Sequence, residues 1–165
     1  MKFSSQEYAT QLIRQNINTW KAQSKTLSDF MEKYANGAYL NNVAPGRNRA
    51  VYIIGHLVSA SDDILLLFGL GERLYPELQE IFSTSPDGAH TDIPSIGDLR
   101  HYWKVINDKL AIAFESFSEE TWMDRHTRVS EADFSSDRSR NKSTVLLSRT
   151  NHISYHMGQL NLLTV

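Results

Sequence analysis

NRAVYIIGHLVSASDDILLLFG, residues 48–69, predicts a helix with apolar residues on more than one side. Because these residues recur at helical spacing over a broad face, we expect the helix to be buried among other helices. Gly69 and Gly71 end it, since glycine readily adopts the left-handed conformation that closes many helices. The apolar positions are Ile53, Ile54, Leu57, Val58, Ile64, Leu65 and Phe68.

Three further segments, residues 5–34, 95–117 and 143 to near the end of the chain, show the same helical periodicity. Ser4 or Ser5 is a suitable N-cap for the first of them, and Ser95 for the second. The inward stripes of these segments make large aromatic side chains part of the expected core. They include Trp20, Trp103 and Phe114.

The connections predict how the long helices are arranged. A short link after residue 34 allows the first two helices to be antiparallel, whereas residues 70–94 are long enough for the second and third to be parallel. A short helix is expected at 76–82, and the serine-rich segment 124–142 is expected to be an exposed connection, of a length that is usually functional or mobile. No segment predicts a strand. The sequence therefore predicts one all-α domain, residues 1–165, folded as an up-down-down-up four-helix bundle.

The composition excludes several classes of protein. Hydrophobic residues make up 41% and charged residues 22%, as in ordinary globular proteins, and a net charge of −2 gives no reason to expect nucleic acid or an anionic membrane as a partner. With 0 cysteines, disulfides and thiolate chemistry by the protein itself are excluded. The longest apolar run, residues 64–68, is too short to span a bilayer, and the first residues lack a signal-peptide pattern. We expect a soluble cytoplasmic protein.

The strongest functional signal is a set of three histidines. His152 and His156 lie one turn apart, so on a helix their side chains share a face and can bind one ion. His56, in the second helix, is the natural third ligand, because an up-down-down-up bundle brings it to the same height. Three imidazoles leave one tetrahedral position for water or substrate, which is typical of catalytic zinc sites. Buried imidazoles without such a partner would cost about 1–3 kcal/mol each.

Residues next to these histidines have two interpretations each. Arg149 faces the same way as His156 and could bind an anionic substrate group, but an ion pair with Asp63 is the favoured interpretation. Tyr52 and Gln159 lie one turn from His56 and His156, and each is either near the site or a packing residue with a polar tip.

The other histidines are weaker candidates. His101 points away from the apolar stripe of its helix and is expected to face solvent. His90 and His126 lie in predicted loops, so either could approach an ion only if its loop folded inward.

Three sequence features together resemble the DinB-like superfamily, which includes YfiT-like metal-dependent hydrolases and bacterial thiol-dependent transferases. They are Gly55-His56-Leu57, the pattern His-x-x-x-His-x-Gly-Gln-Leu at residues 152–160, and a length of 165 residues. The stretch FSEETW at 117–122 also looks like that family's connection after the third helix. The resemblance covers the whole chain. It implies an up-down-down-up bundle, often a homodimer, with a divalent ion, most commonly zinc or nickel, on His56, His152 and His156.

Three hypotheses about function follow. The first is a metal-dependent enzyme, either a hydrolase or a transferase that binds a small thiol cosubstrate, with no general base identifiable from the sequence. The second is a non-catalytic metal-binding or stress-related protein. The third is a helical dimerisation module with empty histidines.

Overall fold

The computed structural model describes residues 4–164, and within that range the chain is all-helical, without a strand. This confirms the predicted all-α class. Four long helices are joined by shorter elements. The α-helices are α1 (Ser5–Met31), α2 (Ala50–Leu67), α3 (Ile96–Ser116), α4 (Glu119–Met123), α5 (Glu131–Ser136) and α6 (Lys142–Leu160), with a 3₁₀ helix at Asn36–Leu40 and a π-helical turn at Glu80–Thr84.

Side-chain caps mark the start of α1, α3 and α6, whereas Arg49, the N-cap of α2, makes no capping hydrogen bond with its side chain. Ser4 and Ser95 each accept a hydrogen bond from the backbone N–H three residues on, and the acidic side chain at that position accepts one from the backbone N–H of the serine. Asn141 caps α6 through its side-chain oxygen, which accepts a hydrogen bond from the N–H of Thr144. The predicted helix starts are therefore close to the observed ones. The predicted end of the first helix was too late, because α1 ends at Met31 rather than at residue 34.

Contacts between the long helices show their relative directions. In the contacts between α1 and α3, higher residue numbers in α1 pair with lower numbers in α3, so these helices are antiparallel. The same is true of α2 and α6. In the contacts between α2 and α3 the numbers increase together, so these two helices are parallel. The contacting pairs are Lys21–Glu115 and Ser28–Trp103 for α1 with α3, and His56–His152 and Asp63–Arg149 for α2 with α6. For α2 with α3, Phe68 at the end of α2 contacts Phe114, and Val51 and Ile96 at the other ends line one cavity.

Helix α2 lies between α3 and α6 and is buried over most of its length. By length and composition alone it is apolar enough to cross a membrane, but 78% of it is buried inside this structure, as expected of a core helix. The expected core aromatics Trp20, Trp103 and Phe114 are also buried.

Two expectations about the connections were correct only in part. The predicted short helix at 76–82 is replaced by the π-helical turn at Glu80–Thr84. Asp62, which is fully buried, accepts hydrogen bonds from the backbone N–H groups of Leu74 and Tyr75 and so fixes the preceding loop against α2.

Segment 124–142 is not simply an exposed connection. It contains α5, and Val129, Phe134 and Lys142 are buried. Thr127 donates its backbone N–H to the carbonyl of Leu67 at 2.9 Å, which satisfies one of the carbonyls left free at the end of α2. A segment rich in serine and charge is held here by backbone hydrogen bonds that its composition does not reveal.

Candidate metal centre

His56 from α2 and His152 and His156 from α6 meet in one half-buried cluster. The Nε2 atom of His152 lies 3.1 Å from Nε2 of His56 and 3.0 Å from Nε2 of His156. One nitrogen from each of the three rings lies within 4.8 Å of the others, so the group could hold a metal ion. These are the three residues that the sequence predicts as ligands.

Hydrogen bonds at the far side of two rings orient them. The Nδ1 of His56 donates to the backbone carbonyl of Phe82 at 2.9 Å, and the Nδ1 of His156 donates to Oε1 of Gln159 at 2.7 Å. A neutral imidazole with its proton on Nδ1 has its lone pair on Nε2. Both lone pairs therefore face the cluster, in the arrangement that metal-binding histidines usually adopt.

The environment also favours the neutral form of the helix α6 pair. Burial lowers the pKa of His152 to about 4, with further contributions from the charges of His156, His56 and Arg149. Burial likewise lowers the pKa of His156, against a smaller opposing effect of its hydrogen bond with Gln159. Metal binding requires neutral imidazoles, so protons compete weakly for these two residues at neutral pH.

The two separations that involve His152 suit a divalent ion. With bonds of about 2.0–2.1 Å, two imidazole nitrogens on a tetrahedral zinc would be about 3.3–3.4 Å apart, and about 2.9 Å apart at right angles. The observed separations of 3.0 and 3.1 Å fall between these values. Three neutral imidazoles are suitable ligands for zinc, nickel, copper or iron, and the donor set does not select among them.

Gly55 positions the carbonyl that orients His56. A Cβ atom at residue 55 would lie 2.5 Å from Cδ1 of Phe82, so only glycine permits this close approach. The segment that carries Phe82 is held by two more hydrogen bonds, from the Tyr52 hydroxyl to the carbonyl of Ser85 at 2.6 Å and between Ser83 and Ser59 at 3.2 Å. The Gly-His-Leu sequence thus has a steric reason for its glycine.

The three residues that the sequence suggests as neighbours of the histidines differ in how closely they contact the site. Gln159 contacts the site directly through His156. The Tyr52 hydroxyl donates to Ser85 and contacts no histidine by any described hydrogen bond, and burial, with a smaller effect of Asp87, raises its pKa. Arg149 makes the favoured ion pair with Asp63, at 3.3 Å, and also lines a cavity beside His152.

Two site residues were missed by the sequence reasoning. Arg73, from the loop after α2, and Arg128, from the segment before α5, also form ion pairs with Asp63. Burial would raise the pKa of Asp63, but the hydrogen bonds and charges of Arg73 and Arg128 outweigh it, so its pKa is lowered. The only sequence signal was an acidic pair, Asp62 and Asp63, within an apolar helix.

The remaining histidines do not join the cluster among the described residues. His101 is exposed, as expected, and His90 contacts the hydroxyl of Ser85 at 3.0 Å. His126 lies in a second cavity with Arg128 and Arg149, where burial and then the neighbouring cations lower its pKa.

No known protein-family model matches this chain, and no curated protein matches it either. The DinB-like resemblance therefore depends on the motifs and on the site geometry alone.

Proposed function

We propose that this protein is a DinB-like, metal-dependent enzyme, of the thiol-transferase or hydrolase type, with a divalent ion on His56, His152 and His156. The observation that carries the proposal is the convergence of three Nε2 atoms, two of them on rings whose Nδ1 atoms are engaged elsewhere. The histidines are carried by two helices that pack side by side, which favours a site that exists before the ion arrives.

The helix directions support the fold that goes with this function. Helix α1 is antiparallel to α3, α2 is antiparallel to α6, and α2 is parallel to α3. Four long helices with these directions have up-down-down-up topology, and we propose that they form a four-helix bundle of DinB type.

A divalent ion in this position would act as a Lewis acid and lower the pKa of a thiol or water molecule brought to it. The protein's own contribution is to hold the imidazoles in place, through the Phe82 carbonyl and the Gln159 amide. A cavity of about 300 Å³, lined in part by His56 and His152, gives a small molecule access to the histidines. Zinc and nickel are the ions we expect first.

Elemental analysis of protein purified without a histidine tag tests the metal site. We expect about one equivalent of divalent ion per chain in the wild type and in His101→Ala, whose histidine is exposed, and little in His152→Ala. Equal metal content in all three proteins would contradict the proposed ligands.

Catalysis needs a separate experiment. Thiols are combined with electrophiles in one screen, and esters are supplied alone in another, with wild type and His152→Ala compared at equal metal concentration. Turnover by the wild type that His152→Ala lacks supports an enzyme. If the wild type binds metal and yet never exceeds the variant, the non-catalytic metal-binding alternative is favoured.

The homodimer implied by the resemblance is part of the same proposal. Sedimentation velocity on the metal-loaded protein tests it, and a mass near 18.8 kDa at all concentrations would contradict it.

A further inference from the structure

The cavity beside the histidines has an excess of positive charge. It has a volume of about 300 Å³, and its lining includes three arginines, Arg73, Arg128 and Arg149, but among the described residues only one carboxylate, Asp63. The arginines reach this point from two loops and one helix, so the sequence does not show them as a cluster. Three guanidinium groups against one carboxylate leave two positive charges without a partner in the lining.

Asp63 cannot satisfy the donors that surround it. Each guanidinium has five N–H groups, and a carboxylate has about four acceptor positions. Arg128 donates to both oxygens of Asp63, at 2.6 and 3.0 Å, Arg73 donates to one of them, and Arg149 makes a longer contact of 3.3 Å. The Nε atoms of Arg73 and Arg149 are buried and have no hydrogen-bond partner within the protein. Buried donors without a partner are rare in folded proteins, and an ordered water or a bound anion would satisfy these two.

The neighbouring cavity adds no compensating negative charge. It shares Arg128 and Arg149 with the first, its lining adds Arg140, and no carboxylate lines it among the described residues. The charge of Arg140 is already balanced by Asp137, at 3.3 Å, whereas the charges of Arg128 and Arg149 depend on the single carboxylate of Asp63. The excess is therefore localised beside the histidines.

We propose that this arginine cavity binds the oxyanion of a small substrate or cosubstrate, a carboxylate or a phosphate. Arginine suits both groups, because its planar fork of donors matches their oxygens. His56 and His152 line the same cavity, so the remainder of the bound molecule extends to the histidines. An anionic substrate class deepens the proposed function. It rests on that function only for the part of the bound molecule that would contact the histidines. A volume of about 300 Å³ lies at the lower limit for ligand pockets, so the molecule is small.

Two matched variants test the arginine end. Arg128→Gln and Arg140→Gln remove the same charge from side chains of similar exposure, 53% and 51%, but only Arg128 lines the cavity. Inorganic phosphate is titrated calorimetrically into metal-free wild type and both variants. Loss of a charged hydrogen-bond partner is expected to weaken binding about tenfold or more in Arg128→Gln. A change of less than about threefold is expected in Arg140→Gln, since Arg140 does not line this cavity and its charge is paired with Asp137. An equal loss in both variants, or no binding by the wild type, would overturn the inference.

A spectroscopic measurement on the wild type needs no variant and covers the case in which Arg128→Gln fails to fold. Phosphate is expected to shift the Nε–H resonances of Arg73 and Arg149, which have no acceptor within the protein. Unshifted Nε–H signals at saturating phosphate would overturn the inference.

A comparison of two thiols tests whether a molecule bound by the arginines also reaches the histidines. The zinc-loaded protein is titrated with 3-mercaptopropionate, which carries a carboxylate, and with 2-mercaptoethanol, which does not. We expect the carboxylated thiol to bind about tenfold more tightly, and this preference to disappear in Arg128→Gln. Equal binding of the two thiols to a protein that holds zinc would refute the anion site and leave the metal site intact. Phosphate binding by a protein that never takes up metal would refute the proposed function and support the anion site.

Discussion

Replacing Gly55 by alanine tests the steric basis of the candidate metal centre. The added Cβ would lie 2.5 Å from Cδ1 and 2.6 Å from Cε1 of Phe82, whereas carbon atoms normally pack at about 3.5–4.0 Å. The ring must therefore move by about 1 Å. Phe82 is fully buried and packs edge-to-face against Tyr52, so it has no free space to enter.

The magnitude follows from two opposing effects. Overpacking of a core typically costs about 1–3 kcal/mol, and we expect the upper part of that range for so short a contact. Alanine favours the helix over glycine by about 1 kcal/mol, which offsets part of the cost. We therefore expect Gly55→Ala to lower the free energy of unfolding by about 1–2 kcal/mol.

Gly158→Ala is the matched control. It also lies in a long helix that carries the histidines, but a Cβ there meets no atom within 4 Å. Without overpacking, alanine should raise the free energy of unfolding by up to about 1 kcal/mol. The two variants should differ by about 1–3 kcal/mol, or about 2–12 °C in melting temperature for a protein of this size.

The assay is a pair of thermal melts of metal-free protein, followed by titration with zinc. Because the carbonyl of Phe82 orients His56, Gly55→Ala should also weaken zinc binding by about tenfold or more, and Gly158→Ala should not. A Gly55→Ala protein as stable as Gly158→Ala, with unchanged zinc affinity, would refute the close packing of Phe82 on α2.

Three further predictions concern the ion, the acidic group and the amide at the site. Zinc at a hundred times its dissociation constant should raise the free energy of unfolding by about 2.7 kcal/mol, which corresponds to a rise in melting temperature of about 5–11 °C. A chelator should reverse this rise, and His152→Ala should not show it. An equal rise in His152→Ala would place the ion elsewhere. The pKa of Asp63 is lower in the folded protein than its ordinary value of 3.8, so its carboxylate contributes fully to stability above pH 3.8. That contribution is lost as the pH falls through the folded pKa. Asp63→Asn should therefore make stability fall less steeply with pH in the acid range, and an unchanged slope would contradict this. Gln159→Leu removes the acceptor for Nδ1 of His156 from a half-buried position and keeps most of the side chain's volume, so zinc affinity should fall about 10–100-fold with little change in melting temperature. Unaltered affinity would show that the amide does not orient the ring.

The sequence alone was sufficient for features that depend on a few neighbouring residues. Ser95 caps α3 because its hydroxyl reaches a backbone N–H three residues away, a contact that any helix starting there would make. His152 and His156 share one face because the helix repeat places them there. The apolar pattern of 48–69 predicted a buried helix for the same reason, since periodicity determines which side chains point together.

Only the tertiary structure decided which distant groups meet. His56 and His152 are 96 residues apart, and the carbonyl that orients His56 comes from a π-helical turn where the sequence had predicted an earlier helix. Arg73 and Arg128 reach Asp63 through loops whose paths depend on backbone hydrogen bonds such as those to Asp62 and to Leu67. Such loop paths are determined by contacts between residues far apart in the chain, and no local periodicity records them. The sequence predicted which three histidines converge, and the structure supplied the contacts that orient them and the charge of the cavity beside them.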